Sequence, residues 1–221
     1  MLRKLIGACV GLAMMGMAGT ASAVPILGLF TTGVDDTNAL LAGGATDTHY
    51  AILETSTNAV VMTTFPASWI LNDATSQWVW QFKDGTPIGS PGSHLVLTFE
   101  TTFDLTGLDP STASISGTWA TDNTGLDKLI NGVSTGQTSS GFTSFSMFNI
   151  SSGFVGGVNT LRFVVDDFGL RAGFRVGSIA GTADSVSAIP EPSTLALFAT
   201  GLALLAFLGW RRRRAVQVKA A

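Results

Sequence analysis

The chain predicts an all-β fold, a sandwich of short strands, and three observations lead there. Glycine, serine and threonine are abundant while lysine and glutamate are scarce; apolar runs between residues 24 and 189 are short; and turn-forming residues recur between them. Helical periodicity is missing from that part of the chain.

In order, the strands are expected at Thr48–Thr55, Ala59–Thr64, Thr75–Lys83, His94–Leu105, Ala113–Thr121, Leu126–Asn131, Thr143–Ile150, Thr160–Asp166 and Arg171–Ala180. Each is short, rich in β-branched or aromatic residues, and bounded by breakers such as Asp84-Gly85, Ser90-Pro91-Gly92, Asp109-Pro110, Asn131-Gly132 and Gly156-Gly157. Nine such strands imply two packed sheets. The sandwich is expected over residues 48–183, with an N-terminal arm over 24–47 and a tether over 184–189.

Both chain ends read as targeting segments. Arg3 and Lys4 precede an apolar run from Leu5 to Gly19, and Ala21-Ser22-Ala23 offers the small residues that signal peptidase requires. A signal helix over residues 1–23 and a mature chain starting at Val24 follow. Cys9, the single cysteine, lies too early in the apolar run for a lipoprotein box and leaves with that segment, so the exported chain forms no disulfide in its oxidising compartment.

At the other end, Pro190-Glu191-Pro192-Ser193 precedes a charge-free stretch, Leu195–Trp210, and then Arg211, Arg212, Arg213 and Arg214. The prolines exclude helix before about residue 193, so a single membrane-crossing helix is expected over 194–210, with residues 215–221 as a cytoplasmic tail. Its length of about 24 Å is marginal against a hydrocarbon core of about 30 Å. The segment Pro190 to Arg214 resembles the PEP-CTERM protein-sorting signal of Gram-negative bacteria, also catalogued as the ice-binding protein C-terminal domain. The resemblance implies recognition and cutting near Pro-Glu-Pro by exosortase, an integral-membrane protease or transpeptidase. It also implies an inner-membrane precursor and a final place at the cell surface or in the extracellular matrix.

The part between the ends has fourteen acidic side chains against five basic ones, Lys83, Lys128, Arg162, Arg171 and Arg175, a net charge of −9. That balance repels nucleic acid and anionic surfaces. Leu105-Thr106-Gly107-Leu108-Asp109-Pro110, Gly117-Thr118-Trp119-Ala120-Thr121-Asp122-Asn123, Asn131-Gly132 and Asn159–Val165 resemble the strand-turn-strand core of galactose-binding-like jelly rolls. The resemblance implies a jelly-roll β-sandwich.

Candidate chemistry is sparse. Gly132-Val133-Ser134-Thr135-Gly136 matches the G-x-S-x-G nucleophile pattern, but no helix is expected after it, both histidines precede it, and an Asn-Gly hairpin explains the glycines. His49 and His94 without a mature cysteine or an H-x-x-x-H spacing leave no transition-metal signature, and no organic cofactor motif is present. Asp35-Asp36-Thr37-Asn38 and Asp122-Asn123 are oxygen-rich and suit either turn capping or a structural calcium ion. Asp166 and Asp167 point to opposite faces of a strand, and nothing brings Glu54 and Glu100 together, so no acid–base pair emerges.

The aromatic side chains are the remaining candidates. Trp78 and Trp80 share one face of a strand, with Trp69 upstream, and such rings either fill a core or form a platform for sugar rings. Candidate ligand residues are therefore Trp69, Trp78, Trp80, Asp122 and Asn123. The expectation is a non-enzymatic exported protein associated with polysaccharide. The alternatives are a self-associating structural protein and an enzyme using carboxylates such as Asp122 or Asp166.

Overall fold

A computed structural model describes residues 22–87, 90, 92–168, 170–186 and 194–217. Residues 22–186 form one compact unit. Its strands are β1 (Ala23–Pro25), β2 (Thr46–Ile52), β3 (Thr57–Val61), β4 (Val79–Trp80), β5 (Leu95–Asp104) and β6 (Ser114–Asp122). They are followed by β7 (Thr124–Ile130), β8 (Val133–Ser134), β9 (Ser146–Ile150), β10 (Val158–Asp167) and β11 (Gly173–Asp184).

These strands form because their apolar residues recur every second position. Leu97, Phe99 and Phe103 on β5, and Leu161, Phe163 and Val165 on β10, are buried, while the alternate positions are not; only at the end of β10 is the alternate residue, Asp166, buried too. The outward face carries a cross-strand ion pair, Arg162 Nε to Glu100 Oε2 at 2.6 Å, on directly opposed residues.

All pairings are antiparallel, in one eleven-stranded sheet ordered β8-β7-β10-β5-β2-β3-β4-β11-β6-β9, with β1 beside β11. Phe163 on β10 lies 5.2 Å from Phe174 on β11 and 5.5 Å from Trp119 on β6, strands remote from β10 in that order. The sheet therefore folds over on itself around a core of rings, continued by Phe99 stacked at 4.4 Å on Phe174 and Trp80 at 5.6 Å from Phe99.

Several expectations are corrected. Residues 24–47 are no free arm: β1 joins the sheet, Thr32 and Val34 are buried, and the Asp47 carboxylate accepts from Gly33 N at 2.7 Å and His49 N at 3.0 Å. A local hydrogen-bonded turn near Asp35 hid this, because its side-chain caps mask short buried positions. The strand expected over Thr75–Lys83 shrinks to Val79–Trp80, since Trp78 N and Ser76 N are taken by the side chains of Asn72 and Asp73. The expected tether is partly sheet: β11 reaches Asp184, and Ser185 N and Val186 N donate to Ser22 O and Gly107 O.

Outside that unit the described chain is one helix, α1 (Thr194–Gln217), longer than the expected 194–210 and extending into the expected tail. Among the described residues no helix is long and apolar enough to cross a membrane, which corrects the expected membrane span. The charge-free stretch is too short and runs straight into four arginines. Residues 1–21 of the expected signal helix, and Pro190, Glu191, Pro192 and Ser193, lie outside the described residues; Ala23, at the end of that expected helix, stands in strand β1 instead.

Candidate functional site

The three tryptophans offered as a sugar platform are inside the protein. Trp78 and Trp80 are completely buried and Trp69 nearly so. Trp69 and Trp78 lie 4.5 Å apart, and their neighbour Gly173 leaves room for them: a Cβ there would stand 2.5 Å from the Trp69 ring. The indole nitrogens are turned to backbone, Trp78 Nε1 to Ile70 O at 2.7 Å and Trp80 Nε1 to Thr86 O at 3.2 Å. Rings held this way are core, and the platform reading is corrected. Val79 between Trp78 and Trp80 is buried as well, so both faces of this segment are covered, which alternation along the chain does not reveal.

Asp122 and Asn123 sit at the corner between β6 and β7. Asp122 is buried; loss of water and the nearby Asp167 charge push its carboxyl up to about 7, against a hydrogen bond from the Trp69 side chain that lowers it. Asn123 bridges to the residue after β10, its Oδ1 accepting from Phe168 N at 3.0 Å. Asp166 is held differently, with Oδ2 2.7 Å from Nδ1 of His94, whose exposed ring stacks on Phe168 at 4.8 Å. The corner thus contains a buried carboxyl raised to about 7 and, beside it, an exposed histidine bonded to a buried aspartate. Among the described residues no group of three or more His, Cys, Asp or Glu is arranged to hold a metal ion.

The oxygen-rich turn at Asp35 is a cap: its Oδ1 accepts from Thr37 N, Thr37 Oγ1 and Ala39 N at 2.8, 2.7 and 3.0 Å. The same Asp-x-Thr/Ser device recurs at Asp73, Asp84, Asp104 and Asp109, bonded to the residue two positions on. The hydroxyl and amide donors hold the carboxyls of Asp35, Asp84, Asp104 and Asp109 below the usual carboxylate range. Much of the acidic charge is therefore turn architecture.

Ser134 of the G-x-S-x-G stretch stands on β8, in a two-residue hairpin. Asn131 and Gly132 both have positive φ, +50° and +81°, and Ile130 faces Val133 across the turn. The Ser134 hydroxyl donates to Asp127 Oδ2. Beside this hairpin lies a cleft of about 300 Å³ whose floor includes Ile130 and Ile150 and whose rim includes Ser134, Thr135, Ser151 and Ser152. None of its lining residues is charged. Gln137 and Asn149 brace it, with Gln137 Nε2 donating to Asn149 O at 2.9 Å and Asn149 N to Gln137 Oε1 at 3.0 Å.

Sequence reasoning missed this cleft, because its walls come from segments that touch only after β7 and β9 take their places. It also missed two buried cations, Lys128 and Arg175. For Lys128 a signal existed: the Asn131-Gly132 turn sets Ile130 inward, and alternation then carries Lys128 inward as well.

Comparison with known proteins bears on the other end of the chain. Residues 188–214 match the PEP-CTERM protein-sorting motif. The chain carries an exosortase sorting signal. The match spans Pro190 to Ser193 and the arginines 211–214 singled out in the sequence, and it marks an exported protein processed by exosortase. It covers the sorting motif alone and says nothing of ice binding or of residues 22–186. No curated protein matches the chain.

Proposed function

We propose that this exported protein is a non-enzymatic component of the extracellular matrix or cell surface whose domain, a jelly-roll sandwich of the galactose-binding-like kind, holds neutral polysaccharide. Signal peptidase and exosortase are then its processing enzymes. The observation that carries the ligand class is the uncharged cleft beside β8: hydroxyls on its rim over an apolar floor, in a domain of net charge −9. Sugars present hydroxyls at their edges and C–H groups on their faces, so serine and threonine over isoleucine match both. Glycan-array and polysaccharide pull-down measurements on the exported protein test it. Retention of a neutral polysaccharide, lost in Ser152→Trp where the indole fills the cleft, is expected; no retention of any polysaccharide, the producing cell's own included, overturns the reading.

A second reading has its own observation. β9 ends the sheet order, and its Met147 is 83% exposed. Open edges with exposed apolar side chains invite pairing with another copy, so a self-associating coat protein would assemble with rising concentration. Met147→Lys would then keep it monomeric, and a wild-type protein that stays monomeric at high concentration removes this reading.

A further inference from the structure

The bond that signal peptidase is expected to cut lies within a β-ladder. β1 starts at Ala23 and pairs with the last strand of the domain, Ala23 opposite Asp184, Val24 opposite Ala183 and Pro25 opposite Thr182. The pairing is tied on both sides of the Ala23–Val24 bond. Ile26 N donates to Gly181 O at 2.9 Å, and Ser185 N donates to Ser22 O at 3.2 Å. Ile26 is also buried, anchoring the strand just beyond the bond.

A protease takes its substrate as an extended segment hydrogen-bonded along the enzyme's own backbone. Residues on both sides of the bond must leave any ladder they occupy. Where opening is required, cleavage follows the population of the opened form.

We propose that docking of β1 on β11 closes the signal-peptidase site, so that the Ala23–Val24 bond is cut before the domain completes its fold. The proposal rests on the export reading, in which residues 1–23 are a signal peptide. In the step itself one water adds across the peptide bond: Ala23 keeps the oxygen as a carboxylate and Val24 leaves as an ammonium group. β11 is the last strand in the chain, so in export from the N-terminus it emerges after every other strand, and the bond stays free for that whole passage. Cleavage also removes the Ser22 carbonyl that receives Ser185 N, leaving Val24 and Pro25 as the mature first strand.

The test uses the full-length precursor, purified folded in detergent micelles, incubated with signal peptidase and read by intact mass and N-terminal sequencing. A second precursor carries a six-residue Gly/Ser insertion after Ala23, which keeps Ala21-Ser22-Ala23 intact but moves the bond out of the ladder while Val24–Pro25 still pair. Near-ultraviolet circular dichroism verifies that both are folded. The expected result is cleavage of the insertion precursor about tenfold or more faster than the wild type. Equal rates overturn the masking and leave the signal-peptide reading standing. Failure of both to be cut overturns the signal-peptide reading and the proposal with it.

Discussion

Arg175 on β11 and Lys128 on β7 are both fully buried cations, set in unlike surroundings. Arg175 places Nε on Ser76 Oγ at 2.9 Å, one terminal nitrogen on Leu71 O at 2.6 Å and the other on Asp73 Oδ2 at 2.6 Å. Lys128 has a carbonyl, Gln137 O at 2.8 Å, and the face of Trp119 3.9 Å from Nζ. Burial pulls its amine down to about 7, with the Asp127 charge opposing the fall. Near it, Trp119 Nε1 and Ser139 Oγ are buried polar atoms without a partner. The contrast teaches that this domain tolerates buried charge in two ways. A planar fork is met by three fixed partners, whereas a point charge left beside aromatic rings has its pKa pulled down to about 7.

The largest effect that would break this contrast is expected at Arg175. Arg175→Met leaves the Ser76 hydroxyl and the Leu71 carbonyl without their partner, while the half-exposed Asp73 turns to water, and should cost about 3 kcal/mol in urea unfolding at pH 7. A loss below about 1 kcal/mol would show the fork to be dispensable.

Lys128→Met should act with the opposite sign. The folded-state pKa lies near 7 and the unfolded value near 10.5, so the penalty on charged Lys128 is fully present below pH 7 and fades as pH rises toward 10.5. The variant should exceed wild type by roughly 2 kcal/mol at pH 6, after allowance for solvent screening, and by little at pH 10. A pH-independent difference would place the effect in packing.

Asp122 sharpens the comparison from the acid side. Its folded pKa of about 7 stands above the ordinary 3.8, so wild-type stability should fall as pH rises from about 4 to 7. Asp122→Asn should flatten that interval and leave the Lys128 interval above pH 7 intact, with a somewhat smaller gain because the bond from Trp69 weakens. At the bottom of the scale, Asp104→Asn keeps an acceptor oxygen for the Thr106 donors and removes only an exposed charge, so it should leave the unfolding midpoint unchanged within error.

Legibility in the sequence followed locality. The β5 and β10 strands were readable because period-two alternation is a property of neighbours along the chain, and the Asn131-Gly132 hairpin because both residues tolerate positive φ. The strand placed over Thr75–Lys83 shows where locality fails: its residues suit a strand, but side chains of Asn72 and Asp73 claim the amides first. Trp78 and Trp80 show it again, since their spacing can be read but not that both faces of their segment are covered, Val79 being buried too.

Read along the chain alone, the Pro190-Glu191-Pro192-Ser193 motif and its arginines establish export and sorting, because a processing enzyme reads a short contiguous segment much as a reader does. The β class is legible for a related reason: strand periodicity and turn chemistry extend over only a few residues. Burial of the tryptophans and of Lys128 and Arg175, the cleft beside β8 and the pairing of Ala23 with Asp184 arise only when distant strands meet. Each of those depends on which surfaces lose water to one another, and that is set by the folded sheet as a whole.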